Sequence, residues 1–338
     1  MDMRDIAKLA GVSSATVSRV INSSGTVRPE TAEKVRRVID KLKFVPNGSA
    51  ATLKYGRSNT YGLIIPDITN PFFPEFIECF EEILADTDYN MMMATTASRT
   101  SKVSQTIQRM LVRQVEGIAL LASEIETEPI ESMMKNRVPL VTMDRRLVGR
   151  GVSDVSVGNT SGMRQAIGHL SELRHRKIAY IGGSIGPTIS DHRMNSFVRT
   201  MQEFTLPVDP QFLRSGNYRI SGGEKAMAEL ISLRNRPTAI IAANDLTAIG
   251  ALRSIHREGL RVPGDFSIVG FDNIELSDMI DPPLTTLHLP RYELAKKFVN
   301  ALTEFALDPH KAGKQYRLET KLVLRSSTGP VRRPIKNR

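Results

Sequence analysis

Cysteine is nearly absent from this 338-residue chain, which has Cys79 and no other. An intrachain disulfide and a cysteine-based zinc site are both excluded. Its place between Phe76 and Phe80 suits a small buried hydrophobe in a reducing compartment. Long apolar runs are missing too. No stretch approaches the roughly 18 residues of a membrane span, and Met1-Asp2-Met3-Arg4-Asp5 has no apolar signal region. Secreted and membrane-bound readings are therefore excluded. Catalytic patterns are equally scarce. The six histidines, His169, His175, His192, His256, His288 and His310, form neither H-E-x-x-H nor an i, i+4 pair. Gly182-Gly183-Ser184-Ile185-Gly186 lacks both G-x-G-x-x-G and the Lys-Ser/Thr of a phosphate loop, so it reads as a tight turn or cleft loop. No Ser-His-Asp set follows from spacing. The expectation is no metal, no cofactor and no enzyme.

Basic charge is present, and it is placed at the two ends. The chain carries a formal +10. Residues 1–56 hold ten Lys/Arg against five Asp/Glu, and Val331–Arg338 holds four bases and no acid. The body between them is nearly neutral. A basic end module suits a polyanionic partner, nucleic acid or anionic lipid, with a merely solubilising face as the plainer alternative.

The length suggests about two or three domains. Residues 1–46 read as three short helices. Asp5–Ala10 is stopped by Gly11, and Ser13 offers a cap for Thr16–Ile21, whose Val17, Val20 and Ile21 share a face. Pro29 opens the third helix with the stripe Val35, Val38, Ile39 and Leu42. From Tyr61 onward, short apolar runs alternate with helical stretches. Tyr61–Ile65, Asn90–Ala94, Gly117–Leu121 and Leu140–Thr142 form one set of strands; Lys177–Gly182, Ala239–Ala242 and Phe266–Gly270 form another. The fold class is α/β, with two doubly wound parallel subdomains following the helical head. Ligands in such sheets sit past the carboxyl ends of strands.

In a helix-turn-helix the second helix enters the major groove, and here it begins Ser13-Ser14-Ala15-Thr16-Val17-Ser18-Arg19. Arg19 can fork onto guanine O6/N7. Asp5-Ile6-Ala7-Lys8-Leu9-Ala10-Gly11-Val12-Ser13-Ser14-Ala15-Thr16-Val17-Ser18-Arg19-Val20-Ile21-Asn22 closely resembles the headpiece of the lac/gal-repressor family, as does Val45-Pro46-Asn47. The resemblance runs to about residue 328, through Asp67-Ile68-Thr69-Asn70-Pro71-Phe72-Phe73, Ala243-Asn244-Asp245, Gly270-Phe271-Asp272-Asn273 and Pro283-Leu284-Thr285-Thr286. It implies a DNA-binding headpiece over 1–46, a hinge helix over 47–56 and a periplasmic-binding-protein-type core over 57–330, followed by a basic tail. Within the core it implies an N-subdomain of about 57–161 with 291–320, and a C-subdomain of about 162–290 with 321–330.

The same resemblance places Ser14, Ala15 and Arg19 at base-reading positions. Ser13, Thr16, Ser18 and Asn22 take phosphate contacts or capping, and Thr31 a backbone contact. Asn47, Ala50 and Leu53 fall in the hinge, with Leu53 as a minor-groove wedge. Ala51 replaces an arginine common in relatives, Gly48 weakens the hinge helix, and Arg28 stands where a serine cap is common. In the core, Asn70, Phe72, Phe73, Asp144, Arg193, Asn244 and Asp272 fall at ligand positions. Carboxylates, guanidinium and amide suit a polyol, although Arg193 leaves sugar acids and phosphates open. At least one of Phe72 and Phe73 is expected in the core. Asp245 is expected to cap the helix after it, and Asn273 to be structural. Leu289 replaces a glutamine common in relatives.

The function expected is a cytoplasmic, nucleoid-associated transcription regulator. It would be a homodimeric repressor on a pseudo-palindromic double-stranded operator, controlled by a small carbohydrate-type effector, with no membrane partner. No leucine heptad for a tetramer follows the core. The alternatives are a solute-binding protein of a sugar transporter, and a regulator answering to a nucleobase or a partner protein.

Overall fold

The computed structural model describes residues 2–21, 25–44, 57–97, 99, 101–121, 133, 135, 137–183, 192–308 and 310–331. The chain divides into two compact units, Met1–Ser58 and Asn59–Arg338. In the first, helices α1 (Met3–Ala10), α2 (Ser14–Ile21) and α3 (Pro29–Leu42) surround Ile6, Ala7, Ala10, Val17, Val20 and Val35. Helix α1 starts two residues earlier than its apolar pattern suggests, because Asp2 and Asp5 form a reciprocal capping box. It ends at Gly11, whose φ of 63° is left-handed and costs glycine nothing. Arg28 makes no side-chain cap bond at the start of α3, in keeping with the missing serine.

The second unit has two lobes, each built on a six-stranded sheet. One has the order β11-β5-β4-β3-β1-β2, formed by Gln315–Glu319, Val152–Gly158, Leu140–Met143, Gly117–Leu120, Thr60–Ile65 and Asn90–Thr95. All its neighbours are parallel. The other has the order β12-β10-β9-β8-β6-β7, formed by Lys321–Val323, Thr285–His288, Ser267–Asp272, Ala239–Ala242, Ile178–Gly182 and Leu213–Ser215. Here only β12 runs antiparallel to its neighbour. Central strands such as β3 (Gly-Ile-Ala-Leu) and β8 (Ala-Ile-Ile-Ala) are buried throughout, as sheets covered by helices on both faces require.

The chain passes between lobes three times. It crosses after Gly158, where the helix Asn159–Glu172 packs on β10 and β12. It returns after His288, where the helix Arg291–Leu307 packs on β3, β4, β5 and the helix Phe72–Ala85. Thr320 separates β11 in one sheet from β12 in the other. A single apolar cluster extends through both lobes, from Phe76 and Phe298 to Phe271, Leu287 and Leu289. Leu289 is fully buried there, which accounts for an apolar side chain at that position. Cys79 is half-buried against this cluster rather than sealed in it, and burial pushes its thiol up.

Candidate functional site

In the headpiece, α2 is held by Ser13. Its Oγ and its carbonyl both accept the Thr16 N–H, at 3.2 and 2.9 Å, and its hydroxyl also lies 3.0 Å from Thr16 Oγ1. Ser13 is therefore the cap of the second helix, and Thr16 is engaged with it. Ser14, Ala15 and Arg19 are exposed together on the face opposite Val17 and Val20. Ser18 differs from expectation: it is buried, only 5% exposed. Helix geometry puts Ser18 between Ser14 and Arg19 on the wheel, so its burial comes from packing against the rest of the headpiece and not from its place in the helix. Thr31 is half-buried in the first turn of α3. Asn22, Asn47, Ala50 and Leu53, with the rest of the expected hinge, lie outside the described residues.

In the core, strand register aligns the carboxyl ends of β1, β3 and β4 in one lobe and of β6, β8 and β9 in the other. The loops following them meet in a cleft. Asp144 follows β4 with φ 55°, and its Oδ1 accepts the Val157 N–H at 2.7 Å. Burial raises its pKa against the pull of that bond and of the Arg193 and His192 charges. From the other lobe, Arg193 lays its guanidinium over the Phe271 ring, 3.7 Å from the centroid, and donates to the Ala243 carbonyl. Its other nitrogen lies 3.3 Å from Asp272 Oδ1. Asp272 is 3% exposed, and burial pushes its pKa up to about 6, while the Arg193 and Arg291 charges work against that rise. Three of the seven expected residues are thus brought into one electrostatic group, in which the Arg193 charge acts on both carboxyls and Arg291 acts on Asp272 as well.

The remaining four are placed differently. Asn70 Oδ1 accepts the Phe72 N–H at 3.1 Å, so it shapes the turn into the helix Phe72–Ala85. Phe72 is buried in the core, and its ring meets the half-buried Phe73 edge-on at 5.3 Å. Asn244 is 1% exposed, and both ends of its side chain are committed within the fold. Oδ1 accepts the Thr247 N–H at 2.9 Å, and Nδ2 donates to the Tyr218 carbonyl at 3.0 Å. The helix Asp245–Arg257 is therefore capped by Asn244 and not by Asp245. Asp245 instead lies buried under β9 and β10, accepting from Thr286 Oγ1 at 2.5 Å and from the Ile274 N–H at 2.9 Å. Burial first, and the nearby Asp272 second, push its pKa up to about 8. Asn273 is structural: its side chain joins Arg325 at 2.9 Å and His288 at 3.2 Å.

Three contributors were not anticipated from sequence. Tyr218 is 40% exposed, with φ 57°, and covers Gly183 so closely that a Cβ there would lie 2.2 Å from its ring. Arg219 reaches the other lobe, 2.9 Å from Asp67. Arg291 holds the carbonyl of Asp272 at 2.9 Å. The Gly216-Asn217-Tyr218 turn after the short β7 was the available signal for the first two. Asp67, Asn70, Tyr218, Arg219 and Leu246 border a cavity of about 420 Å³ at this mouth of the cleft. A groove of about 580 Å³ beside Ile68, Ile77 and Met93 involves none of the cleft residues. Among the described residues, no cluster of His, Cys, Asp or Glu could hold a metal ion, and no helix is long and apolar enough to cross a membrane.

A helix-turn-helix unit in one chain with a two-lobed α/β core defines a regulator of the ligand-binding type. Residues 2–47 match the family described as bacterial regulatory proteins, lacI family, and residues 167–328 match the periplasmic binding protein-like domain. The ribose operon repressor of Haemophilus influenzae is 32% identical over 96% of this chain and 98% of its own length. A crystal structure of the lac repressor dimer, bound to operator and the anti-inducer ONPF, superposes with a TM-score of 0.85 at 25% identity, covering 97% of this chain and 99% of that one. A family regulator from Enterococcus faecium with bound ribose gives 0.72 at 28% identity, over 81% of this chain and all of the other. The chain belongs to the lac-repressor family of DNA-binding transcriptional repressors, with an effector-binding core.

Proposed function

We propose that this repressor acts as a homodimer on a pseudo-palindromic operator in the bacterial cytoplasm, and that its effector is a neutral polyol of the sugar class held between the lobes. The headpiece would be 1–46 and the hinge 47–56. The lobes of the core would be 57–158 with 291–319, and 159–288 with 321–330. Ser14, Ala15 and Arg19 would read bases, Ser13, Thr16 and Thr31 would support phosphate contacts, and Leu53 would wedge the minor groove.

One observation carries the effector class. Arg193, the cation that left sugar acids and phosphates open, has its guanidinium shared among Asp272, the Ala243 carbonyl and the Phe271 ring. With Asp144 on the facing lobe, and with the Arg291 charge beside Asp272 paired to Glu75, the group is net acidic, so a second anion entering the cleft would meet net repulsion. Hydroxyls are better suited, since each carboxylate oxygen can accept one. Tyr218, 40% exposed beside the cavity, supplies an apolar face for a sugar ring. Bound ribose in the Enterococcus faecium relative points the same way. Asn70, Phe72 and Asn244 would then shape the cleft, leaving Asp144, Arg193, Asp272 and Phe73 nearest the ligand. No step of bond making or breaking is required of any of them, which is the basis for proposing no enzyme activity.

The test is calorimetric titration of the full chain with D-ribose, other neutral pentoses and hexoses, their phosphates, and adenine. An operator selected from random duplexes would be followed in parallel. Saturable binding of a neutral sugar that changes operator affinity is expected. Binding of phosphorylated sugars alone, or of adenine alone, would overturn the neutral-polyol assignment.

A further inference from the structure

Asp272 and Asn273 are consecutive non-glycine residues with φ of 108° and 57°. Left-handed backbone at such residues costs on the order of 1–3 kcal/mol each and persists only where its surroundings enforce it. The turn is held from several sides. One nitrogen of Arg291 donates to both carbonyls, Asp272 at 2.9 Å and Asn273 at 3.1 Å. Arg325 donates to Asn273 Oδ1, and the Ile274 N–H is received by Asp245. Of these partners, only Arg291 belongs to the facing lobe, where it opens the helix that packs on the helix Phe72–Ala85. Its second terminal nitrogen lies 3.0 Å from Glu75 Oε2, with both side chains less than a quarter exposed. The other oxygen of Glu75 accepts the Glu275 N–H at 3.0 Å, two residues beyond the strained pair. Glu75 sits in the first turn of the helix Phe72–Ala85, whose entry carries Asn70 and Phe73.

We propose that Glu75 and Arg291 form an interlobe clasp that positions Asp272 for its ligand only while the two lobes are together. Arg291 enforces the turn, and Glu75 neutralises Arg291 and anchors the turn's far end. Neither side chain is assigned contact with the ligand; both act through Asp272, so the inference rests on reading the cleft as the effector site. Separating the lobes withdraws Arg291 and Glu75 together from the turn. That leaves the Asp272 and Asn273 carbonyls without their donor and the Glu275 amide without its acceptor, and the turn relaxes. Lobe closure and ligand affinity are thereby linked, and the linkage is reciprocal: a ligand that uses Asp272 favours the clasped arrangement.

The full-length chain is compared with E75Q, R291Q, the double variant and R291K, in two measurements. The first is amide hydrogen exchange over residues 272–277 without ligand. Faster exchange in E75Q and R291Q, with exchange in the sheets unchanged, is expected; wild-type exchange there in both variants overturns the clasp. The second is D-ribose titration across pH. Each single variant is expected to weaken binding about tenfold, as loss of a charge-assisted bond implies, with the double no weaker than the weaker single. Multiplying losses in the double overturn the shared device. Arg193 and Arg291 are the cations facing Asp272, against Asp245 and Glu75. R291Q should therefore move the pH midpoint of ribose binding upward, whereas R291K, which keeps the charge but not the fork, weakens binding with the midpoint in place. An unmoved midpoint in R291Q counts against the positioning role. Should the wild-type chain bind none of the neutral sugars, the effector reading falls, and the exchange measurement alone decides the clasp.

Discussion

Asp245 is the most heavily perturbed carboxyl in the core, and replacing it with asparagine gives a result few core substitutions give. The side chain is fully buried, and its pKa is about 8 in the fold against 3.8 in the open chain. At neutral pH it is protonated when folded and ionised when unfolded. A carboxyl raised in this way contributes its full stability below the unfolded pKa, and that contribution disappears as pH rises through the folded one. With 1.36 kcal/mol per unit, folding loses about 5 kcal/mol between pH 4 and pH 8 through this one group. Asparagine has nearly the same shape. Its Oδ1 can accept the Ile274 N–H and its Nδ2 can donate to Thr286 Oγ1, replacing both present bonds. Close fit matters, because a Cβ on Gly270 would already lie 2.2 Å from Asp245 Oδ1. Asp245→Asn should therefore match wild type near pH 4.5 and exceed it by several kcal/mol near pH 8 in urea unfolding. Asp245→Ala, which orphans two buried polar groups, should lose about 1–3 kcal/mol for each. Parallel pH profiles for wild type and Asp245→Asn would refute the reasoning.

Arg19→Ala should cost about 1–3 kcal/mol of operator binding, measured by fluorescence anisotropy, while random-sequence binding changes far less; equal losses on both would remove base reading from Arg19. Asp272→Asn should abolish the thermal shift given by a neutral sugar while leaving the melting temperature of the free protein close to wild type. Since burial pushes the Asp272 carboxyl up to about 6, wild-type sugar affinity should fall as pH drops through 6, and an affinity flat from pH 5 to 8 would contradict use of its ionised form. Gly250→Ala should lower the melting temperature by several degrees, because its Cβ would lie 2.0 Å from the Ile220 carbonyl oxygen and 2.9 Å from the Glu224 nitrogen. An unchanged melt would mean that the two helices separate freely.

The strands most readable from sequence are those with uninterrupted apolar runs, Thr60–Ile65, Gly117–Leu120 and Ala239–Ala242, because burial on both faces leaves no room for polar residues. Gln315–Glu319 alternates exposed and half-buried positions at a sheet edge and carries Gln, Arg and Glu, so its hydrophobic signal is weak. Val152–Gly158 contains Asp154, whose buried carboxylate serves Thr142 and the Arg145 amide, and that charge breaks the apolar pattern. The cleft was legible where strand ends are marked by acids, at Asp144 and Asp272. It was not legible at Arg291 or Glu75, which are distant in sequence and meet only in the folded chain. Asn244 and Asp245 show why motif position alone misassigns neighbours: adjacent in sequence, one caps a helix at the rim and the other titrates beneath the sheet.

The three crossings between the lobes have a consequence for how the chain is made. The first sheet waits for Gln315–Glu319 and the second for Lys321–Val323, so neither lobe is complete until those strands have been made. The unit Met1–Ser58 has all its core residues in hand when most of the chain is still unwritten. On the ribosome, the head can fold long before the core can. A stop codon anywhere between about residue 60 and residue 315 would then yield a folded head attached to an unfinished sheet, whose exposed strands invite aggregation or proteolysis. Completion of both lobes thus rests on the short stretch from Gln315 to Val323.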